Sequence, residues 1–329
     1  SYIMELILNF RPFPLLKNQF LQTTIGSFVN FYKEPPSHTQ FITLPDEDRI
    51  ALEITSPPDW EPDGMIVLMI HGLCGSHKSS YMVRMANRLS KMRVKVIRLN
   101  LRGCGSGRGY AKKIYLSDSS SDVLHALKHL KQVHPKSYIV LIGFSLGGNI
   151  ALKLVGELGE SAKELVQELI AISPPINLEK SAYLLGKPDN RFYEKYLIDL
   201  LVDDVYFRHA EFPDLPSTNI SKKMGILEFD EMYLAPFDGF SSVQEFYQAS
   251  SSLPVIPNIT IPCKILFALD DPIVEHNQLD NLFLPPNIVV YKSTGGGHMG
   301  FLSRPNKTTG IRWLDNVLLS WIFKKEIIL

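Results

Sequence analysis

The chain has 329 residues, 45% of them hydrophobic and 21% charged, with 34 Lys plus Arg against 34 Asp plus Glu. That length and apolar share suffice for one α/β body carrying an insertion and burying a sizeable core. The balanced charge excludes a global field that would draw in nucleic acid or an anionic membrane, so a small, roughly neutral ligand is expected.

Residues 1–35 are apolar but irregular, rich in Phe and Pro, and read as an arm packed on the body. Residues 39–44 and 49–56 flank a turn-like PDED and predict a hairpin. Strand, loop and helix then alternate. A strand at 65–71 precedes a helix at 79–91, where Met82, Met85, Ala86 and Leu89 recur at three- and four-residue steps. A strand at 94–99 and a helix at 122–133 follow, then an apolar strand at 138–143 running into a helix at 147–156. Strands at 169–172, 263–268 and 288–291 precede a closing amphipathic helix at 311–324. Continuous aliphatic strands alternating with helices predict a mostly parallel sheet covered on both faces, with its core in 36–173 and 258–329. From 174 to 257 the alternation stops, which predicts a cap inserted over the site. Its aromatics, among them Tyr183, Phe192, Tyr193, Tyr196, Phe229, Tyr233, Phe237, Phe240 and Phe246, either form the cap's own core or line a pocket.

The strongest local signal is Gly143-Phe144-Ser145-Leu146-Gly147, with an aliphatic strand running in and a helix running out. That is the setting of a nucleophile elbow, a turn so tight that Gly143 and Gly147 are needed on either side of the serine, with Gly148 behind. A serine hydroxyl needs a base, and the base needs an orienting acid. Around such an elbow both follow the nucleophile in the chain, acid first. Asp270 and Asp271 end the strand at 263–268, and Asp271 fits better because its D-P-I-V continuation matches the usual D-x-x-V loop. Gly295-Gly296-Gly297-His298-Met299-Gly300 follows the strand at 288–291 and can carry an imidazole, suited to general-base work near neutrality, over the sheet. The oxyanion donors are expected to be the backbone N–H groups of Leu146 and of Leu73, in His71-Gly72-Leu73-Cys74-Gly75. His71 and Gly72 are read as support for that loop.

Other candidates weaken on inspection. His125 and His129 share a helix face but lack a third ligand, and Arg102-Gly103-Cys104-Gly105-Ser106-Gly107 lacks the Lys-Ser/Thr ending of a phosphate loop. Neither a metal nor a cofactor is called for. Cys74, Cys104 and Cys263 offer no disulfide framework or C-x-x-C pair, which points to a reducing, cytoplasmic location. The opening SYIMELILNF lacks the regions of a signal peptide, and the longest aliphatic run is far short of a membrane span. The apolar arm leaves contact with a membrane surface as an expectation to test.

The chain resembles the YheT-like branch of the α/β-hydrolases through nearly its whole length. Phe10-Arg11-Pro12 and Asn18-Gln19-Phe20-Leu21-Gln22-Thr23 look like that branch's arm. His71-Gly72-Leu73, Leu101-Arg102-Gly103-Cys104 and Ser145-Leu146-Gly147-Gly148-Asn149 follow its core motifs in order. Phe229-Asp230-Glu231, Pro236 and Gly239-Phe240 look like its cap signature, ahead of Ala268-Leu269-Asp270-Asp271-Pro272 and Gly297-His298-Met299-Gly300. Two departures are Phe20, where His is expected, and Tyr115-Leu116-Ser117-Asp118, a loose fit to a His-Ser-Gly-like element. The resemblance implies an α/β-hydrolase fold and hydrolysis of short- to medium-chain acyl or lipid esters. Transfer of the acyl group to an alcohol, or a non-catalytic binding protein on the same scaffold, are the alternatives.

Overall fold

A computed structural model describes residues 4–28, 32–307 and 310–325. Among them, nine strands form one sheet: β1 (Met4–Leu8), β2 (His38–Thr43), β3 (Arg49–Thr55), β4 (Ile66–Ile70), β5 (Lys95–Leu99), β6 (Ile139–Phe144), β7 (Glu168–Ile172), β8 (Cys263–Ala268) and β9 (Ile288–Ser293). Their spatial order is β1-β9-β8-β7-β6-β4-β5-β3-β2. The hairpin strand β3 pairs antiparallel with both β2 and β5, and every other pairing in this sheet is parallel. The aliphatic runs of β4, β6 and β7 are buried along their whole length, as strands covered on both faces must be.

Helices α2 (Ser80–Ser90) and α10 (Trp313–Phe323) cover one face. Met82, Met85, Leu89, Trp313, Val317, Leu318 and Trp321 pack there against β4, β6 and β7. Helices α3 (Ser119–Val133) and α4 (Leu146–Leu158) cover the other with Val123, Ala126, Leu127, Leu152 and Val155. A small hairpin of β10 (Leu302–Asn306) and β11 (Gly310–Arg312) precedes α10, so the closing helix begins at Trp313 rather than at 311.

The stretch at 174–257 contains helices and loops but no strand. It holds α5 (Leu178–Leu185), the long α6 (Arg191–Glu211), two short turns α7 (Ile226–Phe229) and α8 (Ala235–Phe237) on either side of a π-turn at Asp230–Leu234, and α9 (Val243–Ser250).

The arm departs from the irregular reading. β1 extends the main sheet by pairing with β9, and α1 (Gln19–Phe28) lies against the loop after β9. Phe10 packs edge-on to Phe301 and Trp313, with ring centroids at 6.2 and 5.5 Å. Leu6, Ile7, Leu15 and Leu21 remain exposed. The arm's residues 1–3 and 29–31 lie outside the described residues.

Candidate active site

Ser145 sits between β6 and α4 with φ 51° and ψ −120°, a region that costs a non-glycine residue on the order of 1–3 kcal/mol. Its N–H donates to Ile172 O at 2.8 Å, which ties the elbow to β7. The flanking glycines are sterically required: a Cβ on Gly143 would lie 2.3 Å from Gly147 O, and one on Gly147 2.4 Å from Ile70 O. Gly148 is also tight, a Cβ there reaching 3.1 Å from Gly143 O and Pro174 Cβ.

The three residues expected to act together meet at the carboxyl ends of the strands. Ser145 Oγ lies 2.7 Å from His298 Nε2, and His298 Nδ1 lies 2.9 Å from Asp271 Oδ2. Asp271 is locked by its own turn, its Oδ1 accepting the N–H groups of Ile273 and Val274, both at 2.9 Å. The D-x-x-V spacing thus has a physical reason, because the Val274 amide caps the carboxylate that faces the imidazole. Asp270 faces elsewhere: its Oδ1 accepts Gly297 N–H at 2.9 Å. Burial pushes its carboxyl above the ordinary value despite that bond.

The histidine loop is held by the arm, a role the sequence did not reveal. His298 N–H donates to Thr23 Oγ1 at 2.9 Å, and Thr23 donates in turn to Gln19 O at 2.8 Å. The buried Gln22 side chain mimics a paired strand, donating to Leu302 O at 2.8 Å and accepting Leu302 N–H at 2.9 Å. Gly297 and Gly300 permit this approach, since a Cβ on either would come within 2.6 Å of an α1 backbone oxygen. Asn18 caps α1, its Oδ1 accepting Phe20 N–H at 2.8 Å.

His71 braces two loops. Its Nε2 accepts Leu101 N–H at 3.0 Å, so Nδ1 carries the proton and donates to Gly72 O at 2.7 Å. Complete burial pushes its pKa down to about 4, so it stays neutral. Two tyrosines also absent from the sequence-based list shape the oxyanion loop. Tyr81 Oη accepts Gly72 N–H at 2.9 Å and Tyr115 Oη accepts Cys74 N–H at 3.1 Å. Gly72 itself is close to the serine, a Cβ there falling 3.1 Å from Ser145 Cβ. Between the two engaged amides, Leu73 N–H has no protein acceptor among the described residues. Leu146 N–H is one of the first-turn amides of α4, which have no intrahelical acceptor.

Ser145, His298, Leu73 and Leu146 open onto a cavity of about 570 Å³ that residues of the 174–257 stretch also line. The aromatics divide three ways. Tyr193, Tyr196 and Phe246 line this cavity, whereas Phe229, Tyr233, Phe237 and Phe240 belong to the packed core that runs into the cap. Tyr183 and Phe192 do neither, being 66% and 76% exposed. Arg102 is structural, its guanidinium held by Asp46, Asp48 and Asp122. Gly103, Cys104 and Gly105 edge the cavity. Burial pushes the Cys74 thiol well above its ordinary value, which disfavours the thiolate. His125 and His129 bond to Ser121 O and the Gln40 amide. Among the described residues, no group of three His, Cys, Asp or Glu is placed to hold a metal, and no helix is long and apolar enough to cross a membrane.

A mostly parallel sheet with a strained serine at a strand-to-helix elbow is the arrangement of the α/β-hydrolase fold, and the chain has that fold. The model of the α/β-hydrolase fold matches residues 66–205. The YheT-like resemblance holds as well: the chain is 26% identical over 317 residues to the putative esterase YheT of Escherichia coli (strain K12), covering 95% of this chain and 92% of that protein. It is also 26% identical over 295 residues to a monoacylglycerol lipase of Saccharomyces cerevisiae, covering 86% of this chain but only 63% of that longer protein. Among solved structures, 2,6-dihydroxy-pseudo-oxynicotine hydrolase matches with a TM-score of 0.59 at 16% identity, over 92% of this chain and 71% of the other. At that identity the likeness speaks for the fold alone.

Proposed function

We propose that this chain is a serine carboxylic ester hydrolase, acting through an acyl-enzyme on short- to medium-chain acyl or lipid esters. The observation that carries the reading is the hydrogen-bonded row Asp271–His298–Ser145 at the cavity floor. The esterase and lipase names of its relatives point the same way. Ser145 Oγ attacks the ester carbonyl carbon while its proton passes to His298 Nε2. Asp271 keeps Nδ1 protonated and stabilises the imidazolium. The carbonyl oxygen becomes an oxyanion facing the Leu73 and Leu146 N–H groups, and losing one such donor costs about 3–4 kcal/mol of transition-state stabilisation. The tetrahedral centre collapses by breaking the ester C–O bond, and His298 Nε2 gives its proton to the departing alcohol oxygen. A water molecule deprotonated by His298 then attacks the acyl carbon, releasing the acid and restoring the Ser145 hydroxyl.

A fluorophosphonate probe tests this reading, applied to the wild type beside Ser145→Ala and followed by p-nitrophenyl esters from acetate to palmitate. Labelling lost in the mutant is expected, with an optimum at short to medium chains. Folded wild-type protein that neither labels nor hydrolyses any ester would move the reading to a binding protein on this scaffold.

A further inference from the structure

Most polar groups on the cavity wall already have protein partners. Asp204 meets Arg208 at 2.8 Å, and Asn149 is engaged through both amide atoms, with Ser250 O and Ser252 N each at 2.8 Å. Tyr81 and Tyr115 receive backbone amides, as described above. Asp230 differs. It lines the same cavity, is 9% exposed, and uses only Oδ2, which accepts the Tyr247 hydroxyl at 2.5 Å. Among the described residues no cation and no second protein donor reaches its other oxygen. Its Oδ1 is not sealed inside the protein but open to the cavity, where a donor on a ligand can reach it.

Local geometry explains how the group comes to face the cavity. Asp230 opens the π-turn at Asp230–Leu234, a wider coil that re-aims side chains and recurs at functional sites. Ile226, Leu234 and Phe246 make the neighbouring wall apolar, and the carboxyl is the one acidic group among them. Beside it lie Tyr247 and the hydroxyls of Ser181 and Ser250, which are unpartnered among the described residues. Such a pattern fixes the orientation of a ligand that is otherwise held by its hydrocarbon part.

We propose that Asp230, backed by Tyr247, is a subsite for a free hydroxyl on the ester substrate, carried either by the acyl chain or by the alcohol portion. The inference rests on the ester-hydrolase reading and narrows its substrate class. A hydroxyl fits better than an ammonium because burial pushes the Asp230 carboxyl up to about 7. Near neutrality the group therefore both accepts and donates, and a hydroxyl answers both forms whereas an ammonium only donates.

The test compares kcat/KM for isosteric pairs in which hydroxyl replaces methyl. On the acyl side these are p-nitrophenyl 6-hydroxyhexanoate against heptanoate. On the alcohol side they are 2-hydroxyethyl and 4-hydroxybutyl butyrate against propyl and pentyl butyrate. The hydroxylated member of at least one pair is expected to be preferred about 10- to 100-fold, and that pair identifies which side of the ester carries the hydroxyl. The ratio should fall toward one in Asp230→Leu, be kept in part by Asp230→Asn, whose amide still hydrogen-bonds, and drop in Tyr247→Phe. Cooperative thermal unfolding shows that each variant is folded. Wild-type hydrolysis of every member with no preference for hydroxyl, or a stronger preference for the amino analogues, overturns the subsite while ester hydrolysis stands. If no ester turns over, that reading fails first, and calorimetric binding of the same pairs to Ser145→Ala still decides. Equal affinities overturn the subsite, and a hydroxyl preference abolished by adding Asp230→Leu upholds it.

Discussion

On the sheet side of the cavity, positions are set by backbone. Ser145 is clamped where Gly143, Gly147 and β4 touch, Asp271 is capped by two amides of its own turn, and His298 rides on a loop pinned by α1. On the other side, Asp230, Tyr247 and Tyr193 project from the helices of 174–257. These rest on one another through side-chain packing and hydrogen bonds made mostly by side chains, such as Tyr247 to Asp230, Ile226 N–H to Glu194 and Leu178 N–H to Ser251 Oγ. On the proposed reading, the groups that make and break bonds stand where backbone contacts leave little room to shift. The groups proposed to choose among substrates stand on helices held largely by side chains.

The first way to break this comparison is to remove the chemistry. Ser145→Ala and His298→Ala should each lower kcat by about 10⁴–10⁶-fold, and the double variant should be little worse because the row acts as a unit. Steady-state turnover measures both, and additive losses would mean that the two residues work independently. Next, Asp271→Asn should cost about 10⁴-fold by disturbing the imidazole tautomer. Asp270→Asn, which touches Gly297 N–H and not the ring, should cost only about tenfold. A reversed order would hand the acid's role to Asp270.

A smaller effect separates positioning from packing. Thr23→Val removes the acceptor for His298 N–H while keeping the shape, and should lower kcat about tenfold with KM little changed. Thr23→Ser should restore most of it. If the Val variant keeps full kcat, α1 is only a wall.

The subtlest test is the pH dependence of stability, where floor and roof pull in opposite directions. His71 is held neutral with its pKa near 4 against 6.5 for the free group, so its contribution is lost as pH falls from 6.5 towards 4. Asp230 is raised from 3.8 to about 7, so its folded form keeps a proton that the unfolded chain releases, and stability falls as pH rises across that interval. Each effect is about 3–4 kcal/mol at full extent and the two oppose one another between pH 4 and 6.5. Urea unfolding across that window should show a gentle wild-type slope. His71→Gln should tilt the curve toward greater relative stability in acid, and Asp230→Asn toward greater relative stability near neutrality.

Much of the floor was legible beforehand, because its signals are short in sequence. A strand, a glycine-flanked serine and a helix are contiguous, and the D-P-I-V turn caps its own carboxylate within three residues. Buried strands announce themselves by unbroken aliphatic runs, which is why β4, β6 and β8 fall within a residue or so of expectation. What escaped was long-range. β1 looks irregular until β9 is beside it, 285 positions later in register. Thr23 and Gln22 are unremarkable helix residues until the histidine loop arrives on top of them. Tyr81 and Tyr115 are ordinary aromatics in sequence, and only the folded loop shows that their hydroxyls receive the amides flanking Leu73. The cap aromatics could not be sorted from composition, since lining and core positions differ only in which neighbour they meet.

The pairing of β1 with β9 also sets a schedule for manufacture. β1 lies at the sheet's outer edge, and its parallel neighbour β9 is made 285 residues after it. Until residues 288–293 emerge, β1 has no ladder to join and α1 has no loop to brace. Contacts spanning nearly the whole chain form late and slowly. A nascent chain stalled before that point would already carry the Ser145 elbow and the bracing helix α1 yet lack His298 and the loop that α1 holds.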